Sequence, residues 1–381
     1  MMQSRLDRNP LADWWWTVDR LLFVLIVLLM IAGIVLGLAG SPPVAERLGL
    51  PTFHFVIRQA VILAPAFLLM VIASFLTPRA VRRSALAIYL VAMALVVATL
   101  LFGAEVKGAK RWINVAGIAL QPSEFVKPAF IILVAWAFSE GGRRKDVPGN
   151  LIGFLLLCVT IVPLVLQPDI GQTMLIAISW SGIVFLSGLH MFWVVGIGGI
   201  GAAGLAAAYQ FLPHVRDRID RFRNPEVGDT FQVDNAIQSF IEGGWFGKGP
   251  GEGTIKRILP DSHTDFVFAV TAEEFGVIAC LILLTVFAIV VLRGLSLARQ
   301  NEEPFCRLAA SGLIILFGIQ AAINMAVNVH LIPAKGMTLP FISYGGSSLI
   351  SLGLAMGFLL AVTRRRPRAD YVDRFRAEQE T

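Results

Sequence analysis

The stretch "LLFVLIVLLMIAGIVLGLA", residues 21–39, contains no charged residue. At 1.5 Å rise per residue such a helix spans about 30 Å, the thickness of the hydrocarbon core of a bilayer. The run leads into more protein with no small-residue cleavage site, which predicts a retained span rather than a signal peptide. The rest of the chain repeats the pattern. Its 381 residues are 56% hydrophobic and 15% charged, with a mean hydropathy of +0.73, whereas soluble domains average about 45–50% apolar and 25% charged. The expected fold class is an all-α polytopic membrane protein.

Ten spans are predicted, at 21–39, 55–76, 85–102, 125–138, 150–166, 170–188, 191–211, 266–292, 306–329 and 347–363. The layout is a cytoplasmic N-terminal tail (1–20), a ten-helix transmembrane domain (21–363) and a cytoplasmic C-terminal tail (364–381). A large extracytoplasmic loop, 212–265, joins helices seven and eight. Charge sets the orientation. With the N-terminus inside, 18 of the 32 basic residues fall on inner segments and 12 on outer loops, seven of those in the one long loop. Long loops count little, so both termini are expected inside. The net charge of +6 then reflects orientation. No basic stripe interleaved with aromatics suggests nucleic acid. Cys158, Cys280 and Cys306 have neither disulfide nor metal spacing.

Polar residues gather toward one side. Two long outer loops, 103–127 and 212–265, and a shorter one, 330–348, stand out in a bundle whose other connections are short. Ionisable groups in or beside spans are functional candidates by default. Here they are Arg58, Glu124, Lys127, Asp265, Glu273 and Glu274, the last three within "ILPDSHTDFVFAVTAEEFG" (258–276). Glu124 and Lys127, three apart, share a helix face and can pair; the pair fits self-neutralisation as well as function. Lys107, Lys110, Arg111, Arg216, Arg218 and Lys335 are expected to converge on the same side. Gln320, Asn324 and Asn328 recur every four residues, and such amides more often join helices than bind a ligand. Glu273 and Glu274 point about 100° apart, so the two are not expected to share one partner; one would pair within the bundle and the other line a cavity.

"GKGPGEG" (247–253) lacks the spacing of a nucleotide loop and reads as a tight turn. Ser347 or Ser348 suits a helix cap, with no triad partners for a nucleophile. His263 beside Asp265 has the form of a dyad, but a structural hydrogen bond is the simpler reading. A carboxylate at an outer helix edge, near cations and long loops, suits an anionic, lipid-anchored substrate. Cations would hold the anion and the carboxylate would take a proton. Residue pattern alone favours an N-cap for Asp265.

"GAKRWINVAGIALQPSEFVKP" (108–128), "GGWFGKGPGEGTIKRILPDSHTDFVFAVTAEEFG" (243–276) and "IPAKGMTLPFISYGGSS" (332–348) closely resemble the signature regions of the SEDS family (shape, elongation, division and sporulation). The resemblance covers about residues 15–366, and the third region looks like the division (FtsW-type) branch rather than the elongation (RodA-type) branch. It implies a peptidoglycan glycosyltransferase that polymerises lipid II at the outer face of the bacterial cytoplasmic membrane, at the division septum. The implied partners are a class B penicillin-binding protein transpeptidase and other divisome membrane proteins. Asp265 falls on the family's essential aspartate, Glu124 and Lys127 on its acid–base pair, and Arg58 on its second-helix arginine, which reverses the preference for a cap. Asp261 departs from a glutamate common in relatives, and Arg257 stands where some division enzymes are acidic.

The expected chemistry has Asp265 as catalytic base, with Arg58, Lys110, Arg111, Glu124, Lys127 and Lys335 binding substrate. His263, Glu273, Glu274 and Arg216 are secondary candidates. No cofactor is evident; a divalent cation is compatible with a diphosphate leaving group, though no ligand cluster of metal spacing is present. Two rivals are a lipid II flippase, which would place its charges near the midplane, and a scaffold, which leaves the buried cations unexplained.

Overall fold

The computed structural model describes residues 10–106, 109–115, 118–188, 191–211, 216, 220, 231–259, 261–333 and 336–365, with backbone alone at 10 and 233 and over parts of 104–118 and 191–211. Helices α1 (Pro10–Thr17), α2 (Arg20–Gly40), α3 (Pro42–Arg47), α4 (His54–Ser74) and α5 (Pro78–Phe102) lead to a small sheet. After it come α6 (Pro122–Arg143), α7 (Gly149–Leu166), α8 (Ile170–Leu186), α9 (Met191–Phe211), α10 (Phe231–Gly243), α11 (Val267–Arg299), α12 (Pro304–Asn328) and α13 (Gly346–Thr363). Among the described residues, α2, α4–α7 and α11–α13 are long and apolar enough to cross a membrane, and α8 is an apolar helix of 17 residues.

α2 shows why an all-apolar run still has two faces. Val24, Leu28, Ile31, Val35 and Leu38 are exposed at helical spacing, while Leu22, Ile26, Leu29 and Gly33 turn inward. In lipid both faces are apolar, so packing rather than polarity chooses the inner one. Three helices form the centre: 72% of the spanning window of α6 is buried, 67% of α12 and 89% of α13, against 22–44% for α2, α4, α5, α7 and α11. α13 packs on α4 and α6, and α12 on α6, α8 and α11. The segments flanking α2 and α13 meet on one face, where Arg364 Nε donates to Thr17 Oγ1 (2.7 Å) and the Arg365 amide to the Thr17 carbonyl (3.0 Å). Arg293 pairs there with Asp19, and Trp14 Nε1 donates to Ser74 Oγ (2.7 Å).

Several boundaries depart from expectation. The third and fourth spans begin earlier, because Thr77 caps α5 through the Ala80 amide and prolines occupy the first turns of α5 and α6, where a missing N–H costs nothing. The all-α expectation is corrected in the 103–127 loop, where β1 (Ala104–Val106), β2 (Ala109–Val115) and β3 (Ile118–Leu120) form an antiparallel sheet in the order β1-β2-β3. The 212–265 loop likewise contains α10, packed on α11.

α11 is broken at Gly276 (φ 79°). The 244–249 segment enters the break: the Lys248 and Gly249 amides donate to the Glu273 and Glu274 carbonyls, and the Val277 amide to the Gly244 carbonyl. A Cβ on Gly247 or Gly276 would overlap backbone at 2.1 or 2.3 Å, so this contact needs glycine on both sides. The glycine-rich loop therefore does more than turn at the surface. It satisfies the main chain that the break exposes.

Candidate functional site

Asp265 lies just outside α11 in a tight turn. The Asp261 carbonyl accepts the amides of Thr264 and Asp265, both at 3.0 Å, with Asp261 itself in the left-handed region (φ 54°), which aspartate tolerates. The cap position of α11 falls on Phe266, so the N-cap reading of Asp265 does not hold. The turn is held by the amide stripe of α12. Asn324 Nδ2 and Asn328 Nδ2 donate to the Asp265 carbonyl at 3.0 and 2.9 Å, and Asn328 Oδ1 accepts the Ala269 amide at 3.0 Å. Asn324 also donates to the Met337 carbonyl (2.6 Å). The glue reading of the stripe acquires a specific object: it fixes the main chain that presents Asp265, whose side chain is half-buried. The 336–338 segment passes beside it, with a Cβ position at Gly336 only 3.4 Å from Asp265 Oδ2.

At the head of α6, Lys127 Nζ and Glu124 Oε2 are 2.9 Å apart and both residues are buried. Lys127 also donates to Gln320 Oε1 (3.1 Å), and Gln172 Nε2 donates to Glu124 Oε1 (2.7 Å). Gln320 Nε2 in turn reaches the Thr338 carbonyl (3.1 Å). The stripe thus links the ion pair to the 336–338 segment and to Asp265. Ser347 and Ser348 do not cap α13. Ser347 Oγ accepts the Gln121 amide (3.0 Å), and Ser348 Oγ lies 2.9 Å from Thr338 Oγ1.

Arg111 is committed elsewhere: Nη2 donates to the Pro168 carbonyl (2.6 Å) and Nη1 lies 3.7 Å from Asp169 Oδ1. Asp169 caps α8 through the Gln172 amide (3.4 Å), the residue whose side chain holds Glu124. Burial raises the Asp169 carboxyl above the usual carboxylate range, with Arg111 opposing it. Sequence reasoning passed over Asp169 and Gln172. The signal was available in "QPDIGQ" (167–172), a carboxylate where two apolar runs meet.

Arg58 is exposed on the second turn of α4 and Lys110 is exposed on β2; neither has an ion pair among the described residues. The Tyr344 amide donates to the His263 carbonyl (2.9 Å), so Arg58, whose charge acts on the Tyr344 phenol, shares the corner that leads to Asp265. The His263 ring packs 4.6 Å from Phe55 and 5.5 Å from Tyr344, and its Nδ1 is buried without a hydrogen bond. Burial lowers its pKa to about 4. A ring contact replaces the expected hydrogen bond.

Three expectations are corrected. Glu273 and Glu274 both meet Lys256: Glu273 accepts the amides of Thr254, Ile255 and Lys256, while Glu274 pairs with the Lys256 ammonium. The 100° between them is spanned because Lys256 offers its main chain to one and its side chain to the other, so the two share a partner after all. Arg216 donates to the Tyr209 and Gln210 carbonyls at the end of α9, where it satisfies that helix terminus and not the candidate site. Lys107, Arg218 and Lys335 lie outside the described residues. Among the described residues no group of three or more His, Cys, Asp or Glu is placed to hold a metal.

Fold and site define a polytopic helical membrane protein with a polar centre built at one end of its buried helices. Residues 19–368 match the family described as "Cell cycle protein" (FTSW_RODA_SPOVE), and the chain belongs to it, as an FtsW-type member. It is 47% identical over 367 residues to a protein of Caulobacter vibrioides named "Probable peptidoglycan glycosyltransferase FtsW", covering 96% of this chain and 94% of that one. A protein of the same name from Geobacter sulfurreducens is 34% identical, covering 91% and 95%. Among solved structures, a chain from work described as "Structural coordination of polymerization and crosslinking by a peptidoglycan synthase complex" superposes with TM-score 0.76 at 27% identity, covering 91% and 97%. The Thermus thermophilus rod shape determining protein RodA superposes with TM-score 0.69 at 26% identity, covering 93% and 99%.

Proposed function

We propose that this chain is a peptidoglycan glycosyltransferase that polymerises lipid II during septal wall synthesis. Its bundle has ten spans in the cytoplasmic membrane, both termini inside and Asp265 at the outer face. The contact of Arg364 and Arg365, just after α13, with Thr17, just before α2, supports an even number of spans. The names of the relatives supply the reaction class. The clamp of Asn324 and Asn328 on the Asp265 main chain is the observation that carries the assignment of the base.

In this reading Asp265 removes the proton from the 4-hydroxyl of the acceptor N-acetylglucosamine. The oxygen attacks the anomeric carbon of the donor N-acetylmuramic acid, the glycosidic bond forms with inversion, and undecaprenyl diphosphate leaves with the bonding electrons. A positioned base contributes about 10²–10⁴-fold. Among the described residues, Arg58 and Lys110 are cations without an ion pair that could meet the departing diphosphate. Lys127 is neutralised by Glu124, and its part is to hold α6, α8 and α12 in register around the site. A class B penicillin-binding protein is the partner that the synthase complex suggests.

Purified Asp265→Asn protein should keep its thermal stability and lose glycan-chain formation from lipid II by about 10²-fold or more. Chains made at the native rate by the folded variant would overturn the assignment. Polymer made by the native protein in detergent, where no compartments exist, would separate this reading from a flippase.

A further inference from the structure

The far end of α6 borders a cavity. Glu124 and Glu140 lie on the same helix about 24 Å apart along its axis, and Glu140 faces a pocket of about 690 Å³ between α5, α6 and α7. Arg79, Arg82, Arg83 and Arg144 line it, and Leu86, Leu133 and Ile152 form its apolar wall. Two of the guanidinium groups are matched: Arg82 pairs with Glu140 (3.3 Å) and Arg144 with Asp146 (2.9 Å). Arg82 is held further by the rings of Trp136 and Phe305, at 5.6 and 5.0 Å. Arg79 and Arg83 are exposed, with no ion pair among the described residues. The pocket therefore carries two positive charges in excess.

Arginines at span ends also orient a membrane protein without binding anything. This place is concave as well as basic, and its wall is apolar directly below the cations. Leu86 and Ile152 are 41% and 38% exposed, so the wall opens toward the lipid side of the bundle. We propose that this pocket binds an anionic glycerophospholipid of the adjoining leaflet. Its phosphate sits between Arg79 and Arg83, and its first acyl methylenes lie along Leu86, Leu133 and Ile152. Basic pockets between spans on the cytoplasmic side suit such headgroups. Inorganic phosphate would use the cations and leave the wall uncovered, which favours the lipid as occupant.

The test is native mass spectrometry of the full chain in detergent micelles carrying phosphatidylglycerol or phosphatidylcholine. Phosphatidylglycerol should be retained preferentially, and millimolar inorganic phosphate should not displace it. The Arg79→Ala/Arg83→Ala double variant should weaken phosphatidylglycerol retention by about 30-fold and leave phosphatidylcholine unchanged. Arg299→Ala/Arg307→Ala, which removes equal charge elsewhere, should retain the lipid. Leu86→Trp fills the wall with every arginine in place and should also lose it, so the proposal stays testable if the double arginine variant fails to fold. Equal retention by the native protein and either pocket variant, equal loss in the Arg299/Arg307 control, or displacement by phosphate would each overturn it.

Discussion

Asp265 and Glu273 stand on one short stretch of chain and are held in opposite ways. For Glu273 the network grips the carboxylate: three loop amides converge on it, and the residue is fully buried. For Asp265 the network grips the main chain, through Asn324 and Asn328, and leaves the carboxylate half-buried. An acid that has spent its lone pairs on amides is architecture. An acid held through its backbone, with part of its side chain still exposed, is the one that the proposed function uses as the base. The same contrast separates Lys256, buried against Glu274, from Arg58, exposed at the edge.

Four measurements would break or sharpen that division. Glu274→Ala leaves the Lys256 ammonium buried without its partner, which should cost about 3–5 kcal/mol. Melting in detergent should show a large drop, whereas Asp265→Asn should melt close to the native protein; equal melting losses would erase the distinction. Lys127→Met should cost a similar amount by stranding the Glu124 charge, and adding Glu124→Gln should recover most of it, because a neutral pair removes the buried charge. A double variant no more stable than the single would show that the pair's worth lies outside its electrostatics.

Asn328→Ala removes the acceptor of the Ala269 amide and a donor to the Asp265 carbonyl, at about 1–3 kcal/mol. If the stripe positions the base, polymerisation should fall further than stability explains, read as a lower kcat in protein that is still folded. The smallest effect is a pH slope. Folding lowers the His263 pKa from 6.5 to about 4 by burial, with Asp261 opposing and Arg47 adding to the shift. The native ring then stays neutral where the unfolded one is protonated. Its contribution to stability is complete above pH 6.5, declines by at most about 1.4 kcal/mol per pH unit as the pH falls toward 4, and levels off below. His263→Phe should flatten melting temperature against pH in that window; an unchanged slope would assign it to another group.

The sequence by itself determined the membrane class and most of the helices, since long uncharged runs have one stable solution in lipid. It also determined the Glu124–Lys127 pair, because residues three apart on a helix must be neighbours, and the family, through three motifs whose order and spacing are specific. Only the tertiary structure decided how each carboxylate is held. The amides that occupy Glu273 come from a loop segment about eighteen residues earlier in the chain, and the clamp on Asp265 comes from a helix about sixty residues later, distances over which no periodicity carries information. The break at Gly276 was equally hidden: its glycine was visible, but the strand of loop that fills it belongs to a contact that exists only once the chain has folded.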